Sequence, residues 1–447
     1  MMKRLLISLL LLMCLSSCLH KNTFTSFQYD KELIGIGLAD NYEKGNVPTI
    51  DLSDLQVGSV AFYSDFFSDV KYIPLEFTPK SKVGEIRKLQ ITKDGDLLVF
   101  DASGKSILRF NNDGKFVNTI GGLGHSKGEY ISPTCMVYDV YRNQVIVYDA
   151  GKSSLQFYSI DGKFLNVVEI PSFYYEFEIL DRDHLILYMN YQMDVPGIDG
   201  SYNYVIVDRK GKIVGYHAPY SDNWKGFTMS SNVFTRSEDH VYVHVPGTPL
   251  INEFVNDSLK TLYFVDFGKN NQPEEWFESF ESYQEKAYSN YPDNVARSVN
   301  FYSTGKYLLM NFSWDAQMLH LMVANKDSLD DLRYVRLMDN DIYGQVNGME
   351  LKSVSNNKVY FMIEPDQFER MASIPTNTDM TEEKLKTCHN TLSQIDKKFY
   401  SARALYQNLI KLNADRKTPS IISFEEKAEM VRLSKNNNPI IQVCTLK

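Results

Sequence analysis

The chain has no block of lysine and arginine. Its 47 basic residues are outnumbered by 56 acidic ones, and the net charge is −9. Phosphate backbones are held by clustered cations, so this balance argues against nucleic acid as a partner. Cysteine is scarce: five residues in 447, with no CxxC pair and no Cys/His spacing of a zinc site. Catalytic signatures are missing too. A GxSxG string occurs at Gly124-His125-Ser126-Lys127-Gly128, but it lies in a connector that a strand and not a helix follows, so it is no nucleophile elbow. Neither GxxxxGK[ST] nor a strand–GxGxxG–helix unit is present. His240 and His244 stand four apart, but on a strand pattern without a helical HExxH they read as packing residues. The apolar run near the N-terminus is too short to span a bilayer as a helix.

What the chain does have is a repeat. Leu97–Asn118 reads LLVFDASGKSILRFNNDGKFVN, and Val145–Asn166 reads VIVYDAGKSSLQFYSIDGKFLN. They align without a gap at an offset of 48 residues, with 9 of 22 positions identical. The identities include Asp101/Asp149 and the run Asp113-Gly114-Lys115-Phe116 over Asp161-Gly162-Lys163-Phe164. An aromatic content of 13% favours strands. In each copy a continuous apolar run predicts a strand buried on both faces, and Gly-bearing turns separate it from its neighbours. With Ile86–Ile91 in front, one unit makes four antiparallel strands. A sheet with two apolar faces cannot bury both alone, so such units must stack radially.

The pattern continues with less regularity. A third unit is predicted from Phe173 to His217, with Lys210-Gly211-Lys212 keeping the period. A fourth runs from Asn232 to Gly268 and a fifth from Arg297 to Leu337. A sixth begins with Gly348–Ser353 and Lys358–Ile363, then breaks off. Residues 365–438 carry an apolar stripe at steps of three and four, from Leu385 to Leu409, which predicts a helical insertion. Ser423-Phe424-Glu425-Glu426 has capping-box spacing and opens a second, shorter helix. Asn438–Leu446 returns to strand. The sixth sheet is thus one strand short, while Val70–Leu75 before the first unit is one too many. Pairing the two closes the ring, with Pro74 tolerated on an outer edge.

The first 17 residues, MMKRLLISLLLLMCLSS, have the basic pair, apolar run and small residues of a secretory signal peptide. Leu15-Ser16-Ser17-Cys18 resembles a bacterial lipobox, which implies that Cys18 carries the lipid anchor and becomes the mature N-terminus. Residues 18–48 then form the lipidated N-terminus and tether, and 49–447 the folded domain. The anchored site expected is the outer membrane of the cell envelope. His20 and Lys21 follow the anchor in place of acidic residues, which favours the periplasmic side over the surface. Of the remaining thiols, Cys135, Cys388 and Cys444, three cannot all pair. Buried free cysteine is expected, with one disulfide as the alternative.

The leader and lipobox, the segment SDVKYIPLE, the Gly-rich connector at Gly121–Tyr130, Asp266-Phe267-Gly268 and the closing NPIIQV together resemble a lipoprotein family of Gram-negative gut anaerobes. Its members are six-bladed β-propellers related to NHL and TolB-like propellers. The resemblance implies an all-β fold: six four-stranded antiparallel blades, the N-terminal strand closing the last blade, and a helical insertion in blade 6.

Propeller ligands usually sit at one face of the central channel. The expected face is the one where the inner strands start. It would carry Arg87, His125, Glu129, Tyr130, Tyr174, Trp224, Arg297, Trp314 and Asp315, with aromatics beside charges suited to a sugar or peptide. The expected role is a non-catalytic binding or scaffold module for a glycan, peptide or envelope protein. The alternative is a metal-dependent propeller hydrolase or lyase. Asn190, Asn300, Asn311 and Asp315 could give a cation such as calcium its oxygens, although no spacing selects them.

Overall fold

The computed structural model describes residues 47–366 and 424–447, apart from 57–59, 171–173, 175, 192–199, 221–232, 238, 245–247, 256–257, 274–275, 277–284, 287–291, 293, 315–317, 336, 341–344 and 348–350. The fold is a six-bladed β-propeller built of four-stranded antiparallel blades. From the channel outward, blade 1 consists of Ile86–Ile91, Leu97–Asp101, Ser106–Phe110 and Phe116–Thr119. Blade 2 repeats it with Pro133–Asp139, Gln144–Asp149, Ser154–Ser159 and Phe164–Glu169. Blade 3 runs from Glu176–Ile179 to Ile213–Pro219, blade 4 from Phe234–Ser237 to Ser258–Asp266, and blade 5 from Arg297–Ser303 to Leu332–Val335. The six inner strands touch in order around the channel, and Leu351–Ser355 of blade 6 meets Ile86–Ile91 of blade 1.

Blade 6 draws on both ends of the described chain. Its strands are Leu351–Ser355, Lys358–Ile363, Ile440–Leu446 and, outermost, Phe67–Pro74. The register pairs Gln442 with Tyr72 and Ile440 with Pro74. Gln442 also donates to the Tyr72 hydroxyl at 3.1 Å and accepts from the Tyr63 hydroxyl at 3.0 Å. The helix Phe424–Ser434 leads into the third strand, while residues 367–423, where the insertion is predicted, lie outside the described residues.

Alternation on each strand sends side chains to both faces, so the core is divided. Six clusters lie between successive blades. Leu98, Phe100 and Ile107 meet Val145, Val147 and Tyr158 between blades 1 and 2. Ile73, Ile441 and Val443 meet Leu89, Val99 and Leu108 across the closing seam. Each fully buried aliphatic or aromatic side chain contributes roughly 1.5–3 kcal/mol. No blade buries its two faces without both neighbours.

The repeated residues do the same work in each copy. Asp101 accepts from the backbone N–H of Gly84, Glu85 and Gly104, which fastens the segment leading into the inner strand. Asp149 does so for Ile131, Ser132 and Gly151. At the seam Asn438 substitutes: it accepts from Val83 N–H at 2.9 Å and donates to the Glu76 and Ser81 carbonyls. The repeated glycine docks each outer turn on the preceding blade. A Cβ on Gly114 would lie 2.2 Å from the Pro74 carbonyl oxygen, and one on Gly162 would lie 2.4 Å from that of Thr119, with both φ angles near +80°.

Two strands before blade 6 have no counterpart in the sequence reading. Thr49–Asp51 adds in parallel to the outer strand of blade 4. Val60–Phe62 pairs with Leu337–Asn340 in a separate three-stranded sheet. The predicted strand Leu332–Leu337 is therefore divided between two sheets. Cys135 and Cys444 are free and buried, and Cys388 lies outside the described residues.

Candidate functional site

At the end of the channel where the inner strands finish lies a cavity of about 720 Å³, within the range of small-molecule sites. All six blades line it. Lys88 to Lys93 come from blade 1, Tyr138 from blade 2, Glu178 from blade 3 and Phe234 to Ser237 from blade 4. Blade 5 contributes Tyr302, Ser303 and Lys306, and blade 6 contributes Lys352 to Asn357.

Its floor is ionic. Lys88 reaches from blade 1 past Cys135 of blade 2 to two carboxylates of blade 3, Glu176 at 3.3 Å and Glu178 at 3.9 Å. The three side chains are 12%, 5% and 2% exposed. Burial works against the charge on Lys88, but the field of these neighbours outweighs it and holds its proton above the ordinary lysine range. Burial raises Glu178 above the ordinary carboxylate range, against the pull of Lys88 and Arg236. Glu176 also accepts from Val233 N–H of blade 4 at 2.8 Å. Burial pushes the Cys135 thiol up to about 11, which leaves it protonated and unreactive. Arg236 of blade 4 donates to the Ile179 carbonyl at 2.6 Å and the Tyr141 hydroxyl at 2.7 Å, and its guanidinium covers the Tyr141 ring. The floor thus ties four blades together through its charges, with Arg236 Nε buried and without a hydrogen-bond partner among the described residues.

Of the described residues expected at the other face, none lines this cavity. Arg87 is exposed and lies 5.8 Å over the Phe100 ring. His125 is exposed on the connector. The Glu129 carboxylate accepts from Ser126 N–H at 2.9 Å and closes a turn. Tyr130 is buried, donates to the Ile120 carbonyl and packs edge-on against Tyr158. Tyr174 is buried against Tyr148. Trp314 is buried beside His320, and Arg297 is half-buried at the start of its strand. The aromatic members pack blades and connectors because alternation puts them on blade faces. Trp224, Asp315 and Cys18 lie outside the described residues.

The amides considered as cation ligands are engaged within the blades. Asn300 and Asn311 hydrogen-bond each other, and Asn311 also accepts from Leu351 N–H and donates to the His320 carbonyl. The Asn190 side-chain oxygen accepts from Tyr188. Among the described residues no three His, Cys, Asp or Glu side chains gather in a group that could hold a metal ion. His244 bonds the Ser298 hydroxyl at 2.9 Å across blades 4 and 5, and burial lowers its pKa to about 4. His240 hydrogen-bonds Glu253. Both histidines are structural.

Sequence reasoning missed Lys88, Glu176, Glu178 and Arg236. The available signal was charge inside strands that are otherwise apolar, since an ionised group is buried only when it is paired.

Among solved structures, the chain is similar to an exported protein from Bacteroides fragilis. The two are 14% identical with a TM-score of 0.60, over 87% of this chain and 99% of that one. That likeness is one of fold. Weaker similarity extends to a member of the DUF4221 family from Bacteroides vulgatus (9% identity, TM-score 0.42, 58% of this chain and 83% of that one). It also extends to virginiamycin B lyase from Staphylococcus aureus (9%, 0.36, 60% and 74%). No curated protein matches the chain. A family model described as a domain of unknown function, DUF4934, matches residues 47–445, and the chain belongs to that family.

Proposed function

We propose that this protein is an exported envelope lipoprotein whose propeller is a non-catalytic binding module. In this reading, which includes kinship to the NHL and TolB-like propellers, Cys18 carries the lipid and residues 19–48 tether the domain to the outer membrane, on its periplasmic side. The ligand is a glycan or a peptide, and it enters the channel at the end where the inner strands finish. The observation that carries the reading is the six-blade cavity, whose acidic side chain, Glu178, is held by the buried Lys88. Lys88 and Arg236 both act on this carboxylate, which gives it a use in tying the floor together. Hydroxyl and amide side chains around it suit hydrogen-bonded recognition of a polar ligand.

The test is a binding screen of the purified full chain against glycan and peptide panels, with and without calcium. The reading predicts saturable binding to a subset, unchanged by calcium and without turnover of the bound compound. Calcium-dependent cleavage of a panel member would overturn it. For the anchor, metabolic labelling with a fatty-acid analogue should mark the wild-type chain and not Cys18→Ala. Equal labelling of both would refute the lipid assignment.

A further inference from the structure

The cavity carries a charge opposite to that of the chain. The net charge is −9 overall, yet among the described residues the charged side chains lining the cavity are Lys88, Lys93, Arg236, Lys306, Lys352 and one carboxylate, Glu178. Lys88 answers Glu178 and Glu176 at the floor. The others are distributed unevenly. Lys306, Lys352 and Lys93 come from blades 5, 6 and 1, which are consecutive around the ring, and among the described residues no lining residue of these blades is acidic. Asp327 and Asp331 act on Lys306, and Glu364 shares the field of Lys352, but all three lie outside the lining. Lys93 and Lys306 are exposed at the rim. An arc of cations around the mouth of a concavity sets up a positive potential there and draws in anions.

Ser353, Ser355 and Asn356 line the cavity beside Lys352 on blade 6, and half-buried Tyr302 of blade 5 lines it as well. Separate hydroxyls and amides match a ligand that presents many hydroxyls. An extended peptide needs a groove to run through or a strand edge to join. Here the buried floor of Lys88, Glu176 and Glu178 bars the way, so the ligand must be compact or must enter by one end. On the binding reading given above, we infer that the cavity takes an anionic saccharide. This is a polyhydroxylated ring bearing a carboxylate or sulfate, whose anion meets the Lys93–Lys352–Lys306 arc and whose hydroxyls meet Ser353, Ser355 and Asn356.

The test is calorimetric titration of the full chain with uronate-bearing, sulfated and neutral oligosaccharides and with Asp/Glu-rich peptides, at low and high salt. An acidic saccharide should bind about tenfold or more tightly than its carboxyl-reduced counterpart, and salt should weaken it. Comparison of uronate with sulfate members tells which anion is preferred. The double variant Lys93→Gln/Lys306→Gln, both exposed side chains, should lower that affinity about tenfold with an unchanged unfolding transition. Neutral saccharides binding as tightly as acidic ones, with no effect of the double variant, would overturn the inference while the binding reading stands. Binding of acidic peptides alone would also overturn it. If no panel member binds, both fail.

Discussion

The two ends of the channel use their polar groups in opposite ways. Where the inner strands start, carboxylates and amides are consumed by the backbone: Asp101, Asp149 and Asn438 each gather the N–H or carbonyl groups of a segment leading into an inner strand. Where the strands finish, charged side chains face one another and the cavity, with Lys88 on Glu176 and lysines at the rim. The first arrangement recurs in blades 1 and 2, with Asn438 taking the part at the seam, because a blade must be attached to the chain that enters it. The second does not recur, because the ring needs it nowhere for closure. In a repeat protein, what is copied builds and what differs selects.

The largest break in this comparison should come at the cavity floor. Lys88→Met leaves Glu176 and Glu178 buried without their cation and should cost about 3–5 kcal/mol in chemical denaturation. Adding Glu176→Gln and Glu178→Gln should recover much of that loss. At the opposite end, His244 should make stability depend on pH. Its folded pKa of about 4 lies below an ordinary histidine value near 6.5, so the unfolded chain takes up the proton first. The contribution is fully present above pH 6.5 and is lost as pH falls toward 4, on the order of 3 kcal/mol in all. His244→Phe should flatten that part of the stability–pH curve.

Gly162→Ala tests the outer turns. It places a Cβ 2.4 Å from the Thr119 carbonyl oxygen at φ +83°, and should lower stability by about 1–3 kcal/mol, read from the thermal transition. The smallest effect is expected at the rim. Lys306→Gln should change stability by less than about 0.5 kcal/mol, since its side chain is exposed and lies over the Tyr307 ring at the surface.

Most of the frame was legible from the chain. The 22-residue repeat exposed the blade because Asp101/Asp149 and Gly114/Gly162 hold equivalent positions against the neighbouring blade. The strand count pairs Val70–Leu75 with Asn438–Leu446, and the strands that pair in the structure are Phe67–Pro74 and Ile440–Leu446. Short parallel additions such as Thr49–Asp51 escaped notice, because three residues carry no period. The cavity was not legible for a different reason. Lys88, Cys135 and Glu176 lie opposite Phe100, Tyr148 and Tyr188, the same rank in three successive blades, yet each has its own chemistry. A repeat alignment discards such positions as mismatches. Aromatics at the strand starts drew attention because of their type, and the structure places Tyr130 and Tyr174 in the packing between blades.

Lysine-reactivity footprinting compares the two ends in one measurement. With and without a bound acidic saccharide, acylation of Lys93 and Lys306 should fall sharply, while that of Lys82, exposed beside the start of the blade 1 inner strand, should stay constant. Protection of Lys82 with Lys93 and Lys306 unchanged would place the ligand at the other end and contradict the account.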